Sequence, residues 1–478
     1  MRKIIIIAII LLYLNPAYSF SKIKVAGIFS DNMVLQQLSS VPIWGNGDRN
    51  DKIVLMPSWN NKRYEAKVND RGFWKLQIPT PRAGGPYTVD IESTNHIIIK
   101  NVFIGEVWLA SGQSNMSMPL TGYKNQPVDG STEAILDSKG KNIHFINIPA
   151  LASYKPQDDI SDAKWEVASP ATAGTCSAVA WFFADLLHRQ LDIPIGIINA
   201  SFSGSNVEAW MSEKACHEIN GIEVPPLKNE VSADIANVAT LQYNAMIHPL
   251  EGYAIKGFLW YQGESNIFNV PRYAPSVAAM IKYWRQSWNM GTLPFYYVQI
   301  APYNYKEWNF FTPQWPEISA YQREAQMNIQ KLIPNSGMVV TMDLGEKNRI
   351  HYPRKKEVGQ RLAMLALNRN YGMDGFESES PEYEKMEVKG DTAILHFSKQ
   401  FMGITSNGKT MQLFEISGDN KVFLPATAYV DESNGTVIVY NRLVGKPVAV
   451  RYAFKNYCRA ELFGTGGLPV SSFRTDKW

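Results

Sequence analysis

Between residues 101 and 370 the chain repeats one pattern: a helix-length amphipathic stretch, then a short apolar run. Ala178 to Leu191 leads through Pro194 into Ile195-Gly196-Ile197-Ile198. Tyr273 to Trp288 precedes Phe295 to Ile300, Glu317 to Leu332 precedes Met338 to Met342, and Glu357 to Leu367 forms a last helix. Helix and strand in alternation imply a largely parallel sheet covered by helices on both faces, an α/β fold in three layers, α/β/α. Right-handed crossovers are expected for each unit. Such sheets collect their chemistry at the carboxyl ends of the strands.

The flanks read differently. From residue 20 to about 100, short strand-like runs such as Val41 to Trp44, Lys52 to Leu55 and Tyr87 to Ile91 are separated by Gly, Asn, Asp and Pro clusters, a pattern of a small β-sandwich. After about 375 the chain turns β again, with Thr392 to Phe397, Gln412 to Ile416, Val437 to Tyr440 and Ala449 to Tyr452. The expected organisation is therefore an N-terminal β-domain over 20–100, an α/β domain over 101–374 and a C-terminal β-domain over 375–478. Residues 1–19 read as a signal peptide: Arg2-Lys3, an apolar run from Ile4 to Leu14, and Ala17-Tyr18-Ser19 before a cut near Phe20. That run is too short to span a bilayer, which takes about 20 residues. A secreted or periplasmic protein, with no stable membrane insertion after cleavage, is the expectation.

Composition excludes some classes. A net charge of +3 without a long basic run argues against a nucleic-acid partner. Three cysteines, Cys176, Cys216 and Cys458, are too few for a disulfide framework and lack zinc-site spacing, so they read as small core residues.

Four segments fall at strand ends of the α/β region. The apolar run Val102 to Ala110 breaks into Ser111-Gly112-Gln113-Ser114-Asn115, which presents the Ser114 hydroxyl at a sharp turn. Ile197-Ile198 runs into Ser201-Phe202-Ser203-Gly204-Ser205, where a glycine N–H can aim at a developing oxyanion. Phe258 to Tyr261 is followed by Gln262-Gly263-Glu264-Ser265-Asn266, more polar groups than a structural loop needs. The fourth, Asp343 to Pro353, carries His351 between a strand and a helix. A nucleophilic serine needs a base with a pKa near neutrality, and His351 suits that task better than His248, its one serious rival.

Gly112-Gln113-Ser114-Asn115, Ser203-Gly204-Ser205 with Glu208-Ala209-Trp210, Trp260 to Asn266, and Ile350-His351 resemble the sequence blocks of the SGNH hydrolases, and most closely those of the sialate O-acetylesterase family. The resemblance extends from Phe29-Ser30-Asp31-Asn32-Met33 to Phe473-Arg474-Thr475. It implies an SGNH-type fold and a serine esterase that removes O-acetyl groups from carbohydrates, with O-acetylated sialic acids as substrate. Acetylated xylan or another plant glycan is the alternative substrate, and a glycan-binding protein on a decayed hydrolase is the alternative class. Ser114 would be the nucleophile and His351 the base. The oxyanion hole would use the N–H groups of Ser114 and Gly204 and a side-chain amide from Gln262 or Asn266. Gln113 and Glu264 would support the site from behind, and neither a metal nor an organic cofactor is called for. Two positions depart from the family pattern: Ser203 replaces a glycine, and Asn348 stands three residues before the histidine, where an aspartate is common. The imidazole then needs another orienting group: Asp343 or Glu346 from the same loop, or a backbone carbonyl that leaves a Ser–His dyad.

Overall fold

The computed structural model describes residues 22–160, 162–228, 235–305 and 316–478. The predicted signal peptide lies outside the described residues. Among the described residues, six parallel strands form the centre of the main sheet: β1 (His96–Gly112), β2 (Ile143–Asn147), β3 (Ile195–Ser201), β4 (Gly257–Tyr261), β5 (Phe295–Val298) and β6 (Ser336–Val339). Their spatial order is β2-β3-β1-β4-β5-β6, and every neighbouring pair is parallel. A two-residue antiparallel strand, Glu166–Val167, edges β2. The chain lays β2 on one side of β1, inserts β3 between them, and then builds β4 to β6 outward on the other side, so the strand order reverses at β1.

Four helices cover the sheet: α1 (Ala178–Leu191), α2 (Val270–Trp288), α3 (Ile318–Leu332) and α4 (Lys355–Tyr371). The two-residue period of a strand decides which side chain meets which helix layer. Trp108, Ala110, Ile197, Leu259 and Tyr296 pack with Val179, Phe183, Leu362 and Ala366 of α1 and α4. Their neighbours Leu109, Ile198, Phe258 and Phe295 face the other way, into Val277, Trp284 and Ile329 of α2 and α3. Helix α1 occupies the span expected for it. The Ser177 hydroxyl accepts from the Ala180 N–H at 3.3 Å at its start, and Asp192 takes up the left-handed conformation (φ 52°) at its end. Strand β3 runs three residues further than its apolar stretch predicts. Its partner β1 continues to Gly112, and the ladder carries Asn199 to Ser201 with it.

Strand β1 is 17 residues long. Its first part pairs antiparallel with Gly84–Glu92 and parallel with Val34–Gln36, while Glu106 to Gly112 lie between β3 and β4. The boundary expected near residue 100 thus falls inside one strand. Tyr253 donates to the Val34 carbonyl (2.8 Å) and Trp165 to that of Ile28 (2.8 Å), so the N-terminal strands share a core with the α2–α3 side of the sheet.

The C-terminal strands form antiparallel sheets around their own apolar core. They also complete the α/β layer. Arg323 of α3 is fully buried and donates to the Ser472 hydroxyl (2.9 Å) and the Lys455 carbonyl (2.5 Å). Arg474 grips Glu324 with two bonds, 2.9 and 3.0 Å. All three cysteines are buried, as expected of small core residues, and none of them is paired.

Gly112 ends β1 at φ 136°, and a Cβ there would lie 2.1 Å from the Tyr261 carbonyl oxygen. Only glycine lets the two chains meet at the point where the sheet opens. Gly112→Ala is expected to cost about 3 kcal/mol or more in stability, measured by urea unfolding, since strain and a backbone clash add.

Candidate active site

Strand β1 stops at Gly112, and Ser114 begins the short helix Ser114–Ser117. As the first helical residue it has an N–H with no acceptor inside the helix. The Gly204 N–H, just past β3, likewise has no backbone acceptor among the described residues. Gly204 takes φ 75°, with open space where a Cβ would stand. Two hydroxyls fix this turn: Ser203 meets Ser117 (3.2 Å), and Ser265 donates to the Gly204 carbonyl (3.0 Å). Serine at position 203 therefore adds a tether to the short helix.

His351 comes from the loop between β6 and α4. Its Nε2 lies 2.7 Å from Ser114 Oγ, so the residues 237 positions apart form one hydrogen-bonded pair. His248 sits elsewhere, bonded through Nδ1 to the Gln157 carbonyl at 2.8 Å. On its other side the imidazole meets an amide: His351 Nδ1 is 2.7 Å from Gln126 Oε1. A carbonyl oxygen accepts the Nδ1 proton and leaves the Nε2 lone pair for the serine. Tyr123 completes the cradle. Its ring stands edge-on to the imidazole at 5.3 Å, and its hydroxyl donates to the Ser114 carbonyl at 3.1 Å.

Neither Asp343 nor Glu346 meets the imidazole, and the group on Nδ1 is a side-chain amide, not the backbone carbonyl that was the other alternative. Asp343 forms a two-point ion pair with Arg361 of α4, at 2.8 and 2.6 Å, and Glu346 faces Arg349 at 3.7 Å. Both acids are drawn to guanidinium groups, which match their geometry and charge better than a neutral ring does. Asn348 is exposed and bonds to nothing through its side chain among the described residues. The sequence reading missed Gln126 and Tyr123. They lie in an aperiodic loop shortly after Ser114, held by the reciprocal Tyr123–Gln126 backbone bonds (3.0 and 2.9 Å) and by the Asp129 N–H on the Pro353 carbonyl (3.0 Å). Nothing in residue type or spacing marks such a loop.

Of the two amides considered for the oxyanion hole, Gln262 is already committed. Its nitrogen donates to the Ser205 carbonyl (3.1 Å) and to Asn266 Oδ1 (2.7 Å), which uses both N–H groups. Asn266 is oriented by the Val207 N–H on its oxygen (2.9 Å). It gives one N–H to Glu208 (2.9 Å) and keeps the other. The Gln113 oxygen accepts from the Gly263 and Ser265 N–H groups at 3.3 and 3.2 Å.

Beneath His351 lies a buried polar chain. Lys355 Nζ, from a fully buried residue, donates to Asn115 Oδ1 at 2.6 Å. Asn115 Nδ2 donates to Glu264 (2.5 Å) and to the Ile350 carbonyl (3.2 Å), and so pins the residue before the base. Burial pushes the Glu264 carboxyl up and the Lys355 ammonium down to about 7, with Glu264 pulling the lysine partly back. Burial, and then the Lys355 charge, push His351 down to about 4. A neutral imidazole on a serine hydroxyl, with free N–H groups beside it, is the working arrangement of a serine hydrolase.

The comparisons agree. Residues 104–368 match the family model described as carbohydrate esterase, sialic acid-specific acetylesterase. The sialate O-acetylesterase of Mus musculus is 27% identical over 91% of this chain and 90% of its own length. That of Homo sapiens is 28% identical over 91% and 88%. A solved carbohydrate acetylesterase from Xanthomonas citri is 33% identical, covers 96% of this chain and 100% of its own, and superposes with a TM-score of 0.86. The chain belongs to the sialic acid-specific acetylesterase family of carbohydrate esterases.

Proposed function

We propose that this protein is an SGNH-type serine O-acetylesterase that removes acetyl groups from carbohydrates, O-acetylated sialic acids first among them. The observation that carries the reading is the 2.7 Å contact of Ser114 Oγ with His351 Nε2, at the point where the strand order reverses. Ser114 attacks the acetyl carbonyl while His351 takes its proton. Gln126 holds the Nδ1 proton throughout, and the ring's tautomer with it. The Ser114 and Gly204 N–H groups, with the remaining N–H of Asn266, receive the oxyanion, each such donor contributing about 3 kcal/mol. His351 returns its proton to the departing sugar alcohol. Water, activated by the same imidazole, then releases acetate from Ser114. Glu264 and Lys355 act on this chemistry through Asn115 and the Ile350 carbonyl. The predicted leader peptide suits a secreted or periplasmic enzyme that meets glycans outside the cytoplasm.

The test is acetate release from 9-O-acetylated sialic acid and from acetylated xylan, side by side. Faster release from the sialic acid is expected. Faster release from xylan would reassign the substrate, and no release from either would remove the esterase reading.

A further inference from the structure

The mechanism uses one oxygen of Glu208, which holds Asn266, and leaves the other without a task. Glu208 is only 7% exposed, and the first oxygen accepts from Asn266 at 2.9 Å. The other has no partner among the described residues. A carboxylate oxygen that no protein group occupies can accept a hydrogen bond from a ligand. Glu208 lines a cavity of about 230 Å³, together with Asn206, Glu223, Ser265, Asn269 and Arg272. Ser265 connects that cavity to the reaction centre, since its hydroxyl donates to the Gly204 carbonyl. Pockets that enclose whole drug-sized ligands start at roughly 300 Å³. This one is sized for part of a substrate, on the Gly204 side of the serine.

We infer that the cavity is the subsite for the sugar bearing the acetyl group, with Glu208 accepting from its hydroxyls. This rests on the esterase reading above and adds a specificity-determining residue to it. The lining suits vicinal hydroxyls, which donate and accept in turn: carboxylate oxygens on one hand, amide and guanidinium donors on the other. Two carboxylates, Glu208 and Glu223, against one cation, Arg272, leave the lining net negative. A hydroxyl-bearing part of the sugar enters, and any carboxylate of the substrate stays outside. The unmatched oxygen also gives discrimination. A site built to hydrogen-bond a substrate hydroxyl rejects an analogue lacking it, because the protein group is then buried without a partner.

The experiment compares kcat/KM for an O-acetylated sugar with that for 4-nitrophenyl acetate, in the wild type, Glu208→Gln and Asn269→Ala. Glutamine keeps an oxygen for Asn266 but turns a donor into the cavity. Asn269 lines the cavity without bonding to Asn266, which covers the case in which Glu208→Gln misfolds. The ratio of sugar ester to nitrophenyl ester is expected to fall about tenfold or more in Glu208→Gln, the scale of a hydrogen bond to a charged group. It should fall about threefold in Asn269→Ala, the scale of a neutral one. A ratio unchanged within twofold in both variants, or a parallel loss on both esters, would overturn the subsite. A wild type inert toward both esters would instead remove the esterase reading beneath it.

Discussion

Ser114→Ala is expected to abolish acetate release, with kcat lowered by as much as about 10⁶-fold, the loss seen when the serine of a hydrolytic triad is removed. The variant should fold as the wild type does. Ser114 contributes no apolar packing, and the backbone bond from Met118 N–H to its carbonyl (2.9 Å) does not depend on the hydroxyl. Ester binding should therefore persist, and a rapid-quench or coupled acetate assay will separate binding from turnover. Hydrolysis by this variant within tenfold of the wild type would place the nucleophile elsewhere.

The second large effect concerns the imidazole and its amide. Only neutral His351 can take the serine proton, and its pKa is pushed down to about 4, by burial first and the Lys355 charge second. Activity should therefore stay level from neutrality down to about pH 5 and be half lost near pH 4. At an ordinary histidine pKa of about 6.5 the fall would begin two units earlier. The charged group that sets this balance is Lys355, held by Asn115. Gln126→Glu places a carboxylate on Nδ1 and favours the imidazolium, so the acid limb should move up by about 1 to 3 units. Gln126→Ala removes the orienting group and should cost about 10²-fold in kcat, the lower end for a positioned general base. A pH–rate profile of the three proteins decides the matter. Identical acid limbs for wild type and Gln126→Glu would show that Gln126 does not govern the ring.

What could be read from the sequence divides along physical lines. Helix α1 was legible at both ends because its cap and its apolar face are local signals. Ser114 and His351 were legible because strand ends followed by turns are where such sheets expose side chains. The partner of His351 was not. An acid in the same loop is the obvious orienter, but Asp343 is claimed by Arg361, and no sequence pattern told which of the two neighbours would win. Gln126 reaches the ring only because the Tyr123–Gln126 turn and the Asp129–Pro353 bond fold one loop against another. The N-terminal boundary misled for a related reason: composition changes near residue 100, whereas the hydrogen-bonded strand does not stop there.

That unbroken strand limits how such a chain can recombine. A crossover between related genes near codon 100 would splice two half-strands whose ladders were set separately, one antiparallel and one parallel. A one-residue slip would turn Trp108 and Leu109 to the wrong helix layers and rotate Ser114 away from His351. The N-terminal strands and the nucleophile therefore have to be exchanged together if Ser114 is to stay opposite His351.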